Sequence, residues 1–263
     1  MAKLKFIGII PARYGSSRFP GKPLAMLCGQ TVIERVWRQA RKALDTVIVA
    51  TDDERIAAAV AAFGGKAVMT SPNHKSGTDR CYEAYVTNGG GEDVVINIQG
   101  DEPFVRPEQI EALMQCFDDD TTDIATLVKP FAPSRSYAEL ENPNAPKVVV
   151  NKNMNACYFS RSVIPYLRNC DKEEWPRRVQ YYTHLGMYAY RAGVLAEVTR
   201  LPQSPLELAE SLEQLRWLEN GYKIKVGVSE YETIGIDTPA DLSNAEHIIR
   251  NAEQHGNEQS RQD

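Results

Sequence analysis

The sequence predicts an α/β protein with a doubly wound, mainly parallel sheet and a central strand-rich insertion. Short apolar runs alternate with amphipathic stretches over residues 6–115, the alternation loosens between about residues 127 and 191, and it returns from residue 204. A chain of 263 residues with 43% hydrophobic content can bury a substantial core. We expect one domain over 1–250, containing an insertion over about 127–191, and a polar tail over 251–263.

The first half of the chain predicts a regular alternation of strands and helices. Apolar runs rich in β-branched residues predict strands at 6–10, 46–50, 66–69 and 94–98. Helical spacing with start and stop signals predicts helices from Thr31, over 53–63, over about 78–86 and from Pro107. Because helices separate these strands, we expect the strands to run parallel and their carboxyl ends to meet at one edge of the sheet.

The second half departs from this pattern before it returns to it. Strand-like runs at 147–150, 156–159 and 185–190 follow one another without regular helices between them, which indicates the insertion. From Ser204 a helix with an apolar face is predicted to run to Asn220-Gly221. A strand over 223–228 and a helix after Thr238-Pro239 close the fold. The face of the Ser204 helix is assigned to Leu208, Leu212 and Leu215.

A basic loop, residues 11–23, follows the first strand and predicts a polyphosphate site. Gly15 and Gly21 allow backbone N–H groups to approach phosphate oxygens, and Ser16 and Ser17 add hydroxyl donors. The loop carries three cations suited to phosphate: Arg13, Arg18 and Lys22. It has neither P-loop spacing nor a Gly-x-Gly-x-x-Gly fingerprint. A solvated basic surface loop is the alternative, and a nucleoside triphosphate is the ligand that the combination suits.

Two acidic residues are expected at the same edge of the sheet. Asp101 follows the strand at 94–98 through Gln99-Gly100, and Asp237 precedes the last helix. Two carboxylates facing a polyphosphate loop provide the oxygen ligands that magnesium takes and shares with phosphates. The alternatives are that Asp101 is a turn residue and that Asp237 supports the helix N-terminus behind Thr238.

A third segment, residues 75–80, opens a helix after a strand. It offers hydroxyls, a helix N-terminus and Arg80, which could hold an anion or a base edge. An ordinary helix cap made by Ser76 or Thr78 is equally compatible with the sequence.

Charge and composition exclude several classes of protein. The formal net charge of −5 argues against a nucleic-acid partner, because such proteins usually carry a basic excess. No apolar stretch reaches the roughly 20 residues of a membrane span, and the first residues lead directly into a strand without a signal-peptide pattern. We therefore expect a cytoplasmic protein without a membrane partner. Five scattered cysteines predict neither a disulfide framework nor a zinc site.

Five motifs, in the same order along the chain, resemble those of a known family. They are the basic loop, Ser-Gly-Thr-Asp-Arg at 76–80, Gln-Gly-Asp-Glu-Pro at 99–103, Tyr-Thr-His-Leu-Gly-Met-Tyr at 182–188 and Gly-Ile-Asp-Thr-Pro at 235–239. The chain resembles the 3-deoxy-manno-octulosonate cytidylyltransferases, the CMP-Kdo synthetases of lipopolysaccharide assembly, over about residues 6–250. The resemblance implies a three-layer α/β fold of the nucleotide-diphospho-sugar transferase type. It also implies CTP and an acidic eight-carbon sugar as substrates, Mg²⁺ as cofactor and a homodimer.

The resemblance also assigns roles to residues. It implies that Arg13 and Lys22 hold the triphosphate and that Asp101 and Asp237 bind magnesium. The residues expected near the nucleotide are Pro11, Ala12, Arg13, Gly15, Ser16, Lys22, Ser76, Gly77, Arg80, Gln99 and Gly100. Those expected near the sugar are Gln99, Arg161, His184, Glu213 and Gln214.

For three of the sugar residues the sequence alone favours ordinary structural roles. His184 fits a hydrogen-bonded core residue, Glu213 a solvated charge and Arg161 a member of a surface ion pair. Two other functions also remain open. One is cytidylyl transfer to a related acidic sugar, such as sialic acid or an 8-amino octulosonate, or the same chemistry on a sugar 1-phosphate. The other is nucleotide binding without catalysis.

Overall fold

The computed structural model describes residues 3–16 and 18–259, and for 252–259 it describes the backbone alone. The described strands are β1 (Phe6–Ala12), β2 (Met26–Leu27), β3 (Gln30–Thr31), β4 (Val47–Thr51), β5 (Lys66–Met69), β6 (Val94–Asn97), β7 (Ile124–Pro130), β8 (Lys147–Val150), β9 (Ala156–Ser160), β10 (Tyr182–Arg191) and β11 (Ile224–Val228).

The described helices are α1 (Val32–Ala43), α2 (Glu54–Ala62), α3 (Gly77–Thr87), α4 (Pro107–Gln115), α5 (Tyr137–Leu140), α6 (Trp175–Arg178), α7 (Ala192–Val198), α8 (Pro205–Glu210), α9 (Gln214–Glu219) and α10 (Pro239–Gln259). Three short 3-10 turns occur at Lys22–Leu24, Cys116–Asp118 and Lys172–Glu174. The predicted α/β class with a mainly parallel sheet is confirmed.

The chain divides into two compact units. Residues 7–90, 97–107 and those from 233 onward form one, called here the loop unit, and residues up to 6, 91–96 and 108–232 form the other, called the strand-rich unit. The insertion expected over about 127–191 lies inside the longer segment 108–232. The expectation of one domain with that insertion stays a prediction.

In the loop unit, β4 lies between β1 and β5 and pairs with both in parallel. All five residues of β4 are buried, and Ile7, Ile9 and Ile10 of β1 have no exposed surface. Such side chains stabilise the fold by about 1.5–3 kcal/mol each. Because these strands are buried on both faces, they are continuous apolar runs rather than alternating ones.

Helix α1 shows how local sequence sets a boundary. The Thr31 hydroxyl accepts a hydrogen bond from the Glu34 N–H at 3.3 Å, which satisfies one of the free donors at the helix start. The apolar residues at helical spacing, Val32, Ile33, Val36 and Ala40, are all buried. The helix predicted from Thr31 is therefore confirmed.

In the strand-rich unit, β7 pairs in parallel with β11 and antiparallel with β10, while β8 pairs antiparallel with β9. An apolar cluster beside these strands contains Phe131, Leu140, Trp175 and Tyr181. The three strands predicted in the insertion are confirmed as β8, β9 and β10.

The single helix predicted from Ser204 to Asn220 is wrong. The Ser204 and Glu207 side chains form the capping box that starts α8, but Ser211 adopts a left-handed conformation with φ 52° and ends it. Helix α9 then begins at Gln214. Leu208, assigned to the buried face, is 62% exposed, because the break at Ser211 changes the direction of the chain.

At the carboxyl end, α10 continues to Gln259. The polar tail expected from residue 251 is therefore helical over 251–259, and residues 260–263 lie outside the described part of the chain. All five cysteines are free, as the sequence predicted, and Cys157 is exposed. No described helix is long and apolar enough to cross a membrane.

Candidate active site

A cleft of about 300 Å³ opens in the loop unit where β1 ends and the basic loop begins. The segments that follow β6 and precede α10 also line this cleft. The side chains and backbone that line it are Pro11, Ala12, Arg13, Ser16, Arg18, Lys22, Pro23, His74, Lys75, Ser76, Gly77, Arg80, Gln99, Gly100, Asp101 and Asp237. The structure thus brings together the predicted nucleotide and metal residues apart from Gly15. The basic loop forms one wall of this cleft, and phosphate binding by it stays a prediction.

Lys22 is the centre of the charged group in this cleft. Its ammonium donates to Asp101 Oδ2 at 2.7 Å and to Asp237 Oδ1 at 3.1 Å, and its side chain is only 12% exposed. Arg18 Nη2 lies 3.1 Å from the other oxygen of Asp237. Two carboxylates separated by more than a hundred residues of sequence therefore converge on one loop cation.

Backbone contacts explain how Asp101 and Asp237 come together. The Ile236 N–H donates to the Asp101 carbonyl oxygen at 2.8 Å and ties the two segments to each other. The Asp241 carboxylate, rather than that of Asp237, accepts from the Asp237 and Thr238 N–H groups and from the Thr238 hydroxyl. The alternative of a helix-supporting role for Asp237 is therefore wrong, because Asp241 fills that role and leaves the Asp237 carboxylate to the cleft.

The Asp101 and Asp237 carboxylates lie close enough together to bind one Mg²⁺ ion. Oxygen atoms of both lie within 3.1 Å of the same ammonium, so both face one small volume. Among the described residues no group of three or more His, Cys, Asp or Glu side chains could hold a metal ion. A divalent cation here would take two protein carboxylates and complete its shell with phosphate oxygens and water, as Mg²⁺ usually does.

Glu102 lies beside this pair without joining it. Burial, with a smaller contribution from the Asp101 carboxylate, raises the pKa of Glu102 to about 8. Its Oε2 atom has no hydrogen-bond partner among the described residues. The Glu102 carboxyl group therefore holds a proton to a higher pH than an ordinary glutamate does.

The segment before α3 also lines the cleft and is held by its own side chains. The Ser76 hydroxyl accepts from the Asp79 N–H at 3.1 Å, so the capping alternative for Ser76 is confirmed. The Arg80 guanidinium is 5% exposed and donates to Thr70 Oγ1 at 2.6 Å and to Asp52 Oδ2 at 2.9 Å. These contacts fix Arg80 at the cleft wall, while nucleotide binding by Ser76 and Arg80 stays a prediction.

Sequence analysis missed His74, which lines the cleft next to Lys75 of the predicted segment 75–80. The His74 ring contacts the Glu83 carboxylate on α3. The adjacency of His74 to that segment was the available signal. Gly100 has a steric reason to be glycine, because a Cβ there would lie 2.6 Å from the Pro11 carbonyl oxygen. Gly15 has no such constraint, since a Cβ there would meet nothing within 4 Å.

The predicted sugar residues other than Gln99 belong to the strand-rich unit. His184 Nε2 lies 2.9 Å from Thr126 Oγ1, and its ring packs against Phe159 and Tyr188. Burial lowers the pKa of His184 to about 3, so the imidazole is neutral at pH 7. A hydrogen-bonded, packed histidine is what the sequence alone favoured, and this interpretation is confirmed.

Arg161 is not the surface ion-pair member that the residues alone suggested. Its guanidinium donates to three carbonyl oxygens, at 2.6 Å to Glu210, at 2.9 Å to Pro143 and at 3.2 Å to Ser211. Arg161 therefore fixes the turn between α8 and α9, just before Glu213.

Glu213 and Gln214 stand at the start of α9. Glu213 Oε1 accepts from Arg216 Nη2 at 3.0 Å, so the solvated-charge alternative for Glu213 is wrong. Gln214 is 3% exposed, and its Nε2 has no hydrogen-bond partner among the described residues. The Tyr188 ring, which touches His184, packs edge-on against Trp217 of the same helix at 5.0 Å. Tyr188 and Trp217 were not among the predicted site residues.

Residues 7–224 match the family model for cytidylyltransferases, which defines the class of enzyme. A protein from Bacteroides thetaiotaomicron called 3-deoxy-manno-octulosonate cytidylyltransferase is 67% identical over 94% of this chain and 99% of its own length. A protein of the same name from Phocaeicola vulgatus is 66% identical over 95% of this chain and 99% of its own length. The chain therefore belongs to the 3-deoxy-manno-octulosonate cytidylyltransferase family.

A solved structure supports the same assignment. A CMP:2-keto-3-deoxy-manno-octonic acid synthetase complexed with CTP is 44% identical to this chain and superposes with a TM-score of 0.86. The match covers 94% of this chain and 99% of that one. The fold is consistent with the nucleotide-diphospho-sugar transferase type that the resemblance implied.

Proposed function

We propose that this enzyme transfers the cytidylyl group of CTP to 3-deoxy-manno-octulosonate and releases pyrophosphate. The observation that carries the proposal is the convergence of Asp101 and Asp237 on Lys22 in the cleft, in a chain that is 67% identical to a relative named for this reaction. In the reaction, the sugar's anomeric oxygen forms a bond to the α-phosphorus of CTP. The bond from that phosphorus to the pyrophosphate oxygen breaks, and the hydroxyl proton passes to water.

The basic loop binds and orients the triphosphate in this proposal. Arg13 and Lys22 supply the positive charge, and Arg18 lies on the same wall of the cleft. The N-terminus of α3 also borders the cleft, since Ser76 and Gly77 line it, and a helix N-terminus attracts anions. Fixed donors of this kind favour the transition state because they need not reorganise when charge moves to the leaving group.

We propose that Asp101 and Asp237 hold Mg²⁺. When bound, the ion would lower the pKa of the attacking hydroxyl and neutralise developing charge on the phosphate. The Lys22 ammonium lies between the Asp101 and Asp237 carboxylates and reduces the repulsion between them.

For the sugar we propose Gln99, Arg161, His184, Glu213 and Gln214. The neutral His184 can offer one ring nitrogen as a donor or an acceptor, and the buried Gln214 amide has an unused donor. Arg161 acts on the turn that presents Glu213. We further propose that the enzyme works as a homodimer in the cytoplasm and that its product enters lipopolysaccharide synthesis. A molar mass twice that of the chain in light scattering would support the dimer, and a single-chain mass would refute it.

The function is tested by pyrophosphate release from CTP with Mg²⁺ and 3-deoxy-manno-octulosonate. Sialic acid, an 8-amino octulosonate, a hexose 1-phosphate and an acceptor-free mixture run in parallel. Release with the octulosonate and not with the other acceptors supports the proposal. Faster pyrophosphate release with another acceptor would identify that acceptor as the substrate. No release with any acceptor would favour a protein that binds nucleotide without catalysis.

The metal role is tested by Asp101→Asn and Asp237→Asn. Each substitution keeps the side-chain volume and removes a negative ligand, so we expect turnover to fall by about 10²–10³-fold. Asp45→Asn is the matched control, because Asp45 is exposed and lies in the loop unit outside the cleft. A cleft variant that keeps half of the wild-type turnover at saturating Mg²⁺ would remove that residue from the metal role.

A further inference from the structure

Two aromatic side chains of the basic loop do not line the cleft. Arg13 and Arg18 do, but Tyr14 and Phe19 are absent from its walls. Phe19 packs against an apolar cluster of the loop unit made by Leu27, Val32, Ile236 and Ala245. Phe19 thus attaches the loop to the protein through a side chain that does not line the cleft, and Tyr14 makes a second attachment of this kind.

Tyr14 is attached through an arginine on α2. The guanidinium carbon of Arg55 lies over the Tyr14 ring, 3.4 Å from its centroid. Arg55 is oriented by Asp53, to which it donates two parallel hydrogen bonds, from Nε at 2.9 Å and from Nη2 at 2.6 Å. The Asp53 carboxylate also accepts from the Arg55 N–H at 2.9 Å and so caps α2. The Tyr14 ring therefore rests on a cation that Asp53 orients at the first turn of a helix.

Tyr14 is in turn coupled to the residue that precedes Lys22. The Gly21 N–H donates to the Tyr14 carbonyl oxygen at 2.9 Å. Gly21 has a φ of 72°, and a Cβ there would lie 3.1 Å from three atoms of the Tyr14 side chain, namely Cε2, Cζ and Oη. The ring therefore covers Gly21, and the Lys22 ammonium one residue later reaches Asp101 and Asp237.

We propose that Tyr14 and Arg55 are positioning residues for the nucleotide. Their stack on α2, outside the cleft, holds the basic loop in the conformation that presents Lys22 to Asp101 and Asp237. Without the stack, CTP would have to order the loop as it binds, which weakens binding and leaves the saturated complex nearly unchanged. The identity of the nucleotide rests on the proposed function, but the order of the loop does not.

The kinetic test uses Arg55→Ala, Tyr14→Leu and the conservative Tyr14→Phe. We expect KM for CTP to rise about three- to ten-fold in the first two variants, with kcat changed less than about two-fold. Tyr14→Phe keeps the ring and should stay close to wild type. The double variant Tyr14→Leu/Arg55→Ala should be no worse than either single variant, because both remove one contact. The matched control is Arg38→Ala, an exposed arginine on α1 that is likewise paired with a carboxylate, that of Glu34.

A second measurement does not depend on catalysis. Hydrogen exchange of the Gly21 amide, without nucleotide, should become several-fold faster in Arg55→Ala and Tyr14→Leu and stay unchanged in Arg38→Ala. Faster exchange together with a raised KM supports the proposal. Unchanged exchange overturns the stack as a restraint, and faster exchange with an unchanged KM overturns its role for the nucleotide. If the wild type releases no pyrophosphate from CTP, the proposed function fails, while the exchange result still decides whether the stack orders the loop.

Discussion

Gly100→Ala is a sharp test of the cleft geometry. The added Cβ would lie 2.6 Å from the Pro11 carbonyl oxygen and 3.4 Å from Ile10 Cγ2. Ordinary contact with the oxygen begins at about 3.4 Å, so the two backbone segments must separate by about 0.8 Å. The strain cannot be relieved by a side-chain rotation, because the contacted atom belongs to the backbone.

The consequence should reach the catalytic group itself. Pro11 and Gly100 both line the cleft, Asp101 follows Gly100, and the Asp101 carbonyl oxygen holds the Ile236 N–H. A displacement approaching 1 Å at reacting groups lowers rates by about 10²-fold, so we expect kcat/KM to fall about 10–100-fold. Overpacking should also lower the free energy of unfolding by about 1–3 kcal/mol.

The assay is pyrophosphate release with CTP and 3-deoxy-manno-octulosonate, combined with urea unfolding. Gly193→Ala is the matched control, because its Cβ would enter open space on α7, where alanine favours the helix. We expect the control to keep wild-type activity and to be slightly more stable. A Gly100→Ala enzyme with kcat/KM within two-fold of wild type would show that the close approach of Gly100 to Pro11 does not set the site.

Two further predictions concern stability. The pKa of His184 is about 3 in the folded protein and about 6.5 in the unfolded chain, so the unfolded state binds a proton first as the pH falls. Through this group the wild type should lose roughly 2 kcal/mol of unfolding free energy between pH 6.5 and 4.5. As the pH falls, the urea midpoint of His184→Gln should decline less steeply than that of the wild type. The exposed control His247→Gln should decline as the wild type does. Equal slopes in all three proteins would contradict the lowered pKa of His184. Ser211→Gly should raise the free energy of unfolding by about 0.5–1 kcal/mol, because glycine adopts the left-handed conformation at φ 52° without strain. Ser162→Gly, at an exposed position without positive φ, should not stabilise the protein, and a gain of the same size there would refute the strain argument for Ser211.

The sequence determined the elements whose signals are local. The strand at 66–69, the buried face of α1 and the capping signals at Thr31 and Ser204 follow from side-chain period and from hydrogen bonds between near neighbours. The basic loop and the order of five motifs were also enough to predict the family. These features depend on residues a few positions apart, so they can be predicted without the tertiary structure.

Local sequence signals did not predict the break between α8 and α9 at Ser211. Residues 204–220 have a helical pattern throughout, and the left-handed conformation of Ser211 is adopted at the turn whose carbonyl oxygens bind Arg161, a residue fifty positions away. The fixed orientation of Arg161 was missed for the same reason. Neither contact leaves a periodic trace in the sequence.

In the loop unit, too, the sequence determined some features of the site and the tertiary structure determined the others. The residue types of the basic loop and its place after a strand predicted a phosphate site, and strand order predicted that Asp101 would lie at the same edge. Thr238 and Asp241 cap α10 through local hydrogen bonds, but only the tertiary structure decided that the Asp237 carboxylate meets Lys22 and that Tyr14 rests on Arg55. The physical reason is that local propensity acts along the chain, whereas the choice of partner for a charged side chain depends on which distant groups the packed fold brings within hydrogen-bond distance.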